Sequence, residues 1–351
     1  MRLAPRPLAL AAALAAAVVG AAAAPAGAAP GDVELKATVS RVAGADRVAT
    51  AIAAAASFSG QQADAVVLTR SDTYADALAG APLASDKAGP LLMTSRTALQ
   101  PEVSTAIRDV LRPGGTVYLL GSTSALSAEV ESAVRALGFP VQRVQGADRF
   151  GTAVEIAKLL PQASAVSVVT GWNYPDGLSA GALMGVVNEV TNHSVGAVLL
   201  TEGNTLGAAT AGYLAGRSFN TKIAIGGLAS VAVEGQPGWA RLAGGDRYET
   251  SALIAQQFTS TGFFEDATTT VGVATGENWP DALAGAGLLA YGGGPMVLTR
   301  PGDLPAASRE ALTSLQADAR AQGTEVDEVL VFGDERAVSA GVAGAVGDAL
   351  R

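Results

Sequence analysis

The sequence has no cysteine and one histidine among its 351 residues. The absence of cysteine excludes a disulfide-stapled scaffold, a cysteine-ligated zinc site and a thiol nucleophile. With His193 as the sole histidine there is no histidine cluster and no H-E-x-x-H motif, and the phosphate-binding P-loop pattern is also missing. We therefore expect neither a metal nor a cofactor, and we expect His193 to be solvated.

Charged and aromatic residues are scarce, at 16% and 5%, whereas hydrophobic residues make up 49%. An aliphatic content this high excludes a disordered chain. The formal net charge of −9 argues against a generic nucleic-acid binder, which should be basic. A chain of this length is expected to form two or three domains, each able to bury a core.

Residues 1–29 have the layout of a secretory signal peptide. Two arginines and no acid accompany the apolar tract Leu8–Val19, and small residues with A-x-A spacing come after it. A membrane anchor is the alternative, but the tract is short for a bilayer span, and Gly20, Pro25 and Gly27 interrupt any extension of it. We predict cleavage near Ala28 or Ala29, a linker over 30–37 and a mature protein without a membrane span, whose net charge would be −11 once the two arginines are removed.

The rest of the chain consists of three tandem copies of one repeat. The block R-V-A-G-A-D-R-V-A-T at 41–50 recurs in similar form at 143–152 and 241–250. Three more blocks come after each copy in the same order: a strand-like run leading to Asp-Ala-Leu or Asp-Gly-Leu, a Pro-Leu-Leu type run, and a run that ends in glycine. Internal repetition of this length indicates domain-sized units rather than a solenoid. The predicted repeats are 38–139 (unit 1), 140–238 (unit 2) and 239–351 (unit 3).

Each unit alternates two patterns. The runs Ala65–Thr69, Pro90–Thr94 and Thr116–Leu120 are apolar at successive positions, as is typical of strands covered on both faces. Alanine-rich stretches with helical spacing lie between them. This alternation predicts an α/β fold with a parallel sheet, in which ligands bind at the carboxyl ends of the strands.

Two sets of arginines recur in all three units. The first set stands in the first turn of a predicted helix, where a cation opposes the helix dipole. A salt bridge across the interface between units would explain this placement, and so would a carboxylate, phosphate or sugar of a ligand. For the second set, the structural alternative to ligand binding is an exposed charge at the edge of a strand. The first set is Arg47, Arg149 and Arg247, and the second is Arg41, Arg143 and Arg241.

Two sets of aspartates recur as well, and both are predicted to cap helices. The first set follows a glycine turn and precedes a helix, which is typical of an N-cap. The second set lies three residues after a good N-cap residue, so that it could reach back to the cap. An aromatic residue precedes each member of the second set and is expected to pack at the core or rim, with sugar stacking as the alternative. The first set is Asp46, Asp148 and Asp246; the second is Asp76, Asp176 and Asp281, preceded by Tyr74, Tyr174 and Trp279.

No catalytic residue is predicted. The segment 177–181 fits the G-x-S-x-G nucleophile pattern, which requires a sharp turn between a strand and a helix. Ser179 lies instead within a helical pattern, and its counterparts in the other units are Ala79 and Ala284. We interpret the match as chance.

Together, the four ordered blocks resemble the type 2 cell-wall-binding repeat, which occurs in tandem threes in surface proteins of Gram-positive bacteria. The resemblance covers nearly everything after about residue 38. It implies Toprim-like α/β units in a pseudo-threefold arrangement, retained non-covalently by anionic secondary wall polymers in grooves near the Pro-Leu-Leu strands. The ligand contacts expected on this basis are Pro90, Leu91, Leu92, Pro295, Met296 and Val297. The two arginine sets are added as candidate contacts because of their own placement and repetition.

Unit 2 departs from the family pattern, so a groove that borders it is expected to be altered. Ala197 replaces the proline, a seven-residue insertion precedes it, and the run 235–238 shortens the last helix.

These observations favour an exported, non-enzymatic protein at the cell wall or cell surface, bound to an anionic wall polymer or to a peptidoglycan-linked glycan. Two other hypotheses remain open: a wall hydrolase of the amidase or glycosidase type, and a self-assembling structural surface protein. A hydrolase would need an acid/base constellation, for which the aspartates are the available groups.

Overall fold

The computed structural model describes residues 37–186, 195–260, 262 and 268–351. The predicted signal peptide at 1–29, nearly all of the linker at 30–37, and His193 with most of the insertion around it lie outside the described residues. No helix in the part that the structure describes is long and apolar enough to cross a bilayer.

Unit 1 alternates strands and helices as the sequence pattern predicts. Helix α3 begins with a proline, whose missing N–H needs no partner there, and it carries Glu102 in its first turn and Arg108 in its last, which suits the helix dipole. The elements are β1 (Thr38–Val42), α1 (Arg47–Ala54), β2 (Ala63–Arg70), α2 (Gly80–Asp86), β3 (Leu91–Thr94), α3 (Pro101–Val110), β4 (Leu111–Leu120) and α4 (Ala128–Ala136).

Unit 2 repeats this order. Its helix α6 is buried at nearly every position, so it is an interior helix rather than an amphipathic surface helix. The elements are β5 (Val141–Val144), α5 (Arg149–Lys158), β6 (Ala165–Thr170), α6 (Pro175–Val186), β7 (Ala197–Thr201), α7 (Gly207–Leu214), β8 (Thr221–Ile225) and α8 (Gly227–Ala232).

Unit 3 has the same plan, and its interior helix α10 ends at Gly293 in the left-handed conformation. The elements are β9 (Ala240–Leu242), α9 (Arg247–Ala255), β10 (Thr270–Thr275), α10 (Pro280–Gly292), β11 (Met296–Thr299), α11 (Ala306–Ala321), β12 (Glu328–Phe332) and α12 (Ala340–Ala349).

The strands form three parallel four-stranded sheets, in the orders β3-β2-β4-β5, β7-β6-β8-β9 and β11-β10-β12-β1. In each sheet the fourth strand comes from the next unit: β5 of unit 2 pairs with β4, and β9 of unit 3 pairs with β8. Strand β1 closes the ring, because it pairs with β12 over the full length from Thr38 beside Glu328 to Val42 beside Phe332. The sequence repeat and the folded sheet are therefore offset by one strand.

The interior helices α2, α6 and α10 pack against one another at the centre of the ring. Small residues at equivalent positions make this close approach possible: a Cβ on Gly181 would lie 3.1 Å from the Cβ of Ala81 and 3.8 Å from that of Ala286. One layer further along, the Ser85 hydroxyl donates to the carbonyl oxygens of Gly185 (3.1 Å) and Ala290 (3.0 Å). The α/β fold with three similar parallel-sheet units in a pseudo-threefold arrangement is thus confirmed.

Candidate functional site

The repeated ten-residue block folds as a loop that enters the first helix of each unit. In unit 1 the Gly44 N–H donates to the Thr50 hydroxyl oxygen (3.1 Å), and the Asp46 carboxylate accepts from the N–H groups of Val48 and Ala49. Units 2 and 3 have the same glycine-to-threonine hydrogen bond and the same capping aspartate. In unit 2 the aspartate accepts from one N–H only, that of Gly151. The first aspartate set therefore caps α1, α5 and α9.

The glycine of this loop is required by close packing rather than by backbone conformation. A Cβ on Gly44 would lie 2.7 Å from the backbone nitrogen of Thr50, and a Cβ on Gly244 would lie 2.7 Å from that of Thr250. Any larger residue would push the loop off the helix.

The first arginine set reaches across the contacts between units. We name these contacts junction 3–1 (41–50 with 275–281), junction 1–2 (143–152 with 74–76) and junction 2–3 (241–250 with 174–176). At each junction the arginine lies over the aromatic residue of the preceding unit, where cation–π attraction applies. The guanidinium carbons of Arg47, Arg149 and Arg247 lie 5.3, 5.9 and 5.9 Å from the ring centres of Trp279, Tyr74 and Tyr174.

A backbone carbonyl holds each of these arginines in place. Nη1 of Arg47 donates to the Ser71 oxygen and that of Arg149 to the Gly171 oxygen, both at 2.8 Å, and Arg247 donates to the Gly276 oxygen. Within the described residues, none of the three forms an ion pair with a carboxylate. The inter-unit salt bridge that the sequence left open is therefore not formed there, and the positive charges are not neutralised by direct pairing.

The three aromatic residues of the junctions meet one another near the start of the interior helices. Ring centres of Tyr74 and Tyr174 are 5.4 Å apart, and those of Tyr74 and Trp279 are 6.3 Å apart, both with edge-to-face geometry. They serve as packing partners of the arginines and of one another, and they gather the junctions around the centre of the ring.

The second arginine set has a structural role in two of its three members. Arg41 donates to the carbonyl oxygens of Gly333 (2.7 Å) and Val338 (2.9 Å), tying β1 to unit 3. Arg143 donates to the Gly121 oxygen (2.9 Å) and pairs with Glu131 at 2.8 Å. Arg241, the third member, is exposed, and among the described residues no partner is found for it.

The second aspartate set lies only partly where it is predicted. Asp176 and Asp281 stand in the first turns of α6 and α10, each directly after a proline, where a negative charge suits the helix dipole. Helix α2, by contrast, begins at Gly80, four residues beyond Asp76, and the N-cap residue of α10 is Trp279, which makes no side-chain capping bond. The amide oxygens of Asn173 and Asn278 accept instead from the next N–H in the chain.

Instead, each of these aspartates packs against the glycine that ends a strand. Gly121, Gly226 and Gly333 all have positive φ, between 85° and 97°. A Cβ on Gly121 would lie 2.6 Å from Oδ2 of Asp76, and a Cβ on Gly333 would lie 2.7 Å from Oδ2 of Asp281. A Cβ on Gly226 would collide with the carboxyl group of Asp176. Glycine is thus needed for the backbone conformation and for the room that the carboxyl group occupies.

Burial makes two of these carboxyl groups poor acids. It raises the pKa of Asp176 to about 6, although the charge of Arg247 acts in the opposite direction. Burial also raises the pKa of Asp281, opposed by a hydrogen bond from the Thr50 hydroxyl and by Arg47. At junctions 2–3 and 3–1, the arginine of one unit therefore acts on a buried carboxyl group of the other.

Junction 3–1 holds a cavity of about 530 Å³ that is open to solvent. Unit 1 contributes Arg47 and Thr50 to its wall, and unit 3 contributes Glu277, Asp281, Asp334 and Arg336. The cavity therefore offers two guanidinium groups, a hydroxyl and carboxylates, a set that can bind both the hydroxyl groups and the charged groups of a saccharide.

The Pro-Leu-Leu type residues lie in the interior. Pro90 and Pro295 are buried, and Leu91, Leu92, Met296 and Val297 have at most 2% of their surface exposed. These side chains hold the sheet against the helices, so they are not available as surface contacts for a polymer. Ala197 of unit 2 is fully buried as well.

Ser179 is buried in α6, and its hydroxyl donates to the carbonyl oxygen of Met296 at 3.2 Å. It contributes a hydrogen bond between units 2 and 3.

Two features of the site were not anticipated from the sequence. Thr50, Thr152 and Thr250 belong to the tripled block, so repetition alone could have singled them out. Trp172 could not be found in this way, because its counterparts are Asp72 and Glu277. Its side chain is an exposed aromatic group beside Arg149, with the ring centre 5.3 Å from the guanidinium carbon.

Known proteins share this organisation. The chain is similar to N-acetylmuramoyl-L-alanine amidase LytC of Bacillus subtilis (strain 168), 27% identical over 309 residues, or 87% of this chain and 57% of that protein. It is also similar to the amidase enhancer of the same strain, 26% identical over 277 residues, which cover 78% of this chain and 36% of that protein. The chain thus spans little more than half the length of the first relative and about a third of the second.

Among solved structures, Cwp8 from Clostridium difficile is similar, with a TM-score of 0.73 and 26% identity over 89% of this chain and 51% of that one. The sequence profile described as Cell wall binding domain 2 (CWB2) matches residues 41–131, 143–234 and 241–343. These three tandem segments make up most of the chain and coincide with its threefold repetition. The protein therefore belongs to the cell wall binding domain 2 family.

Proposed function

We propose that this is an exported protein that attaches non-covalently to an anionic secondary polymer of the cell wall through the junctions between its three repeats. The observation that carries this proposal is the tripled arginine, which lies at each junction without a direct carboxylate partner among the described residues. Membership of the CWB2 family and the predicted signal peptide at 1–29 support the same conclusion and a location at the cell surface.

The chemistry of the junctions suits a charged saccharide. A guanidinium forms charge-assisted, two-pronged hydrogen bonds with carboxylate or phosphate groups. At junctions 2–3 and 3–1 the buried carboxyl group nearby accepts from sugar hydroxyls. Because the whole chain carries a net charge of −9, attraction to an anionic polymer has to come from these local arginines rather than from the overall field.

Three junctions on one rigid ring also favour attachment to a long repetitive polymer. When one junction is occupied, the others meet neighbouring polymer units at a high effective concentration, so retention exceeds the affinity of one site. This mode of attachment requires no bond-breaking step, and we infer a non-catalytic role.

Wall binding is the first prediction. The wild-type protein is expected to co-sediment with walls purified from the bacterium that encodes it, and to stay in solution after anionic polymer has been extracted from them. Binding that survives extraction would assign the partner to the peptidoglycan-linked glycan. Absence of binding to intact walls would contradict the proposal.

The second prediction concerns the arginines. The triple variant Arg47→Ala, Arg149→Ala and Arg247→Ala is expected to lose at least tenfold in affinity for walls, since charge-assisted hydrogen bonds contribute about 1.5–3 kcal/mol each. The matched control is Arg108→Ala, Arg217→Ala and Arg309→Ala, which removes the same charge from exposed sites. Unchanged wall binding together with a large fall in melting temperature would assign the first set to structure alone.

A hydrolase remains the second candidate because the relative LytC is an amidase. The triple variant Asp76→Asn, Asp176→Asn and Asp281→Asn separates the two functions. Loss of wall lysis by a lytic wild-type protein would favour the enzyme, whereas wall binding without lysis by the wild type supports the proposal. Assembly in the absence of walls, measured by light scattering against concentration, would favour the structural alternative.

A further inference from the structure

Trp172 is the most exposed large apolar side chain that the structure describes, with 56% of its surface accessible. It lies in the loop after β6, at the carboxyl end of the strand. Three neighbours fix its position. The Tyr74 hydroxyl donates to the backbone carbonyl oxygen of Trp172 (3.1 Å), and the backbone N–H of Trp172 donates to the Thr170 hydroxyl oxygen (3.3 Å). The Phe150 ring packs edge-to-face against the indole, with the ring centres 5.1 Å apart. The indole is thus held in place while much of its surface remains open.

A cation lies beside this open ring. The guanidinium carbon of Arg149 is 5.3 Å from the centre of the indole and 5.9 Å from that of Tyr74. Nη1 is bound to the Gly171 carbonyl, and among the described residues no carboxylate pairs with the group. The remaining N–H donors of Arg149 are therefore available next to an apolar surface.

The two other units have a carboxylate at the position of Trp172. Asp72 pairs with Arg70 at 2.5 Å, and Glu277 lines the cavity at junction 3–1. A carboxylate at this position either repels an anion, as Glu277 does, or takes up a neighbouring arginine, as Asp72 does, whereas a neutral indole does neither. The surroundings of Arg149 are therefore more favourable to a negatively charged group than the equivalent places in units 1 and 3.

We propose that Trp172 and Arg149 form a binding subsite for an anionic pyranose, which makes junction 1–2 the preferred contact of this protein with its wall polymer. The apolar C–H face of the sugar ring packs on the indole, and its carboxylate or phosphate group accepts from the guanidinium. This inference rests on the wall-binding function proposed above. It assigns a role to an aromatic residue at a position where the other two repeats carry a carboxylate.

The test compares wild-type protein, Trp172→Ala, Trp172→Phe and the control Leu228→Ala, which removes another exposed apolar side chain of unit 2 (49% exposed). Binding to walls of the encoding bacterium is measured by sedimentation at fixed salt. We expect Trp172→Ala to weaken the apparent Kd about tenfold, as for aromatic anchors of interfaces, with Trp172→Phe intermediate and Leu228→Ala unchanged. The melting temperature of Trp172→Ala should fall only slightly, because more than half of the side chain is exposed and the packing lost is its contact with Phe150.

Each outcome decides between the proposals. Wild-type protein that fails to bind walls contradicts the wall-binding function itself. Wild-type binding that Trp172→Ala leaves intact overturns only the subsite. Two treatments of the walls identify the acidic group. Hydrofluoric acid removes phosphate-linked polymer, and carbodiimide followed by borohydride removes carboxylates. The treatment that abolishes the effect of Trp172→Ala shows which group the subsite binds. An effect that survives both treatments overturns the anionic part of the assignment.

Discussion

Replacing Gly185 by alanine is expected to lower the melting temperature by about 3–5 °C, equivalent to about 2–3 kcal/mol of unfolding free energy. Gly185 lies in α6 where the three interior helices meet. A new Cβ there would collide with the Cβ of Ala290 and lie 2.8 Å from its Cα, so that α6 and α10 would have to separate. The Ser85 hydroxyl, which bonds to both helices, would lose its geometry as well.

The control for this prediction is Gly212→Ala in α7. No atom lies within 4 Å of the added methyl group, and alanine favours a helix over glycine by about 0.5–1 kcal/mol. Gly212→Ala should therefore melt at the wild-type temperature or slightly above it. Equal melting temperatures for the two variants would contradict the argument that close packing of the interior helices requires glycine at position 185.

The second large effect concerns Asp176. Its folded pKa of about 6 lies above the ordinary value of 3.8, so between these values the folded protein holds a proton that the unfolded chain has released. The free energy of unfolding should therefore fall as the pH rises from about 4 to about 6 and stay lower above that. The shift corresponds to a loss on the order of 2–3 kcal/mol at neutral pH.

Asp176→Asn, which stays neutral, should lack this fall and be more stable than the wild type at pH 7. Denaturant unfolding of both proteins between pH 4 and pH 8 measures the difference, with the exposed Asp109→Asn as the control for loss of a carboxylate. A wild-type stability that rises from pH 4 to pH 6, with the same rise in Asp176→Asn, would contradict the argument.

A buried carboxyl group with a raised pKa in two of the three units needs a reason. At junctions 2–3 and 3–1 it lies near an arginine of the neighbouring unit. A bound saccharide would add to the existing hydrogen bonds there, since its hydroxyl groups donate to the carboxylate and its acidic groups accept from the guanidinium. Strongly perturbed acids concentrate at functional sites for this reason. We therefore expect Asp176→Asn to gain stability and to lose affinity for walls.

Much of the fold follows from local pattern. The runs at 65–69, 90–94 and 116–120 lie within or nearly coincide with β2, β3 and β4, because fully buried strands need apolar residues at successive positions. The loop that carries Asp46 caps α1 because its carboxylate can reach two nearby N–H groups. Such contacts lie within a few residues of one another, and sequence spacing alone specifies them.

Contacts between units could not be predicted in this way. The burial of Pro90 and Leu91 is compatible with their apolar character, yet the resemblance pointed to a groove there. Asp281 stands in the first turn of α10, as its spacing predicts, whereas its hydroxyl partner Thr50 is more than two hundred residues away along the chain. No local spacing distinguishes an aspartate that caps its own helix from one that faces another unit.

The amino-acid sequence by itself determined the threefold repetition, the parallel α/β units and the caps of α1, α5 and α9, because each depends on periodicity or on neighbours along the chain. Only the tertiary structure decided that every unit gives its first strand to the preceding sheet, that the arginines stack on aromatic rings across the junctions, and that Trp172 stands open beside Arg149. These features arise from the closure of the ring, in which β1 meets β12 from the opposite end of the chain. Residues so distant in sequence become neighbours only when the three units pack around one axis.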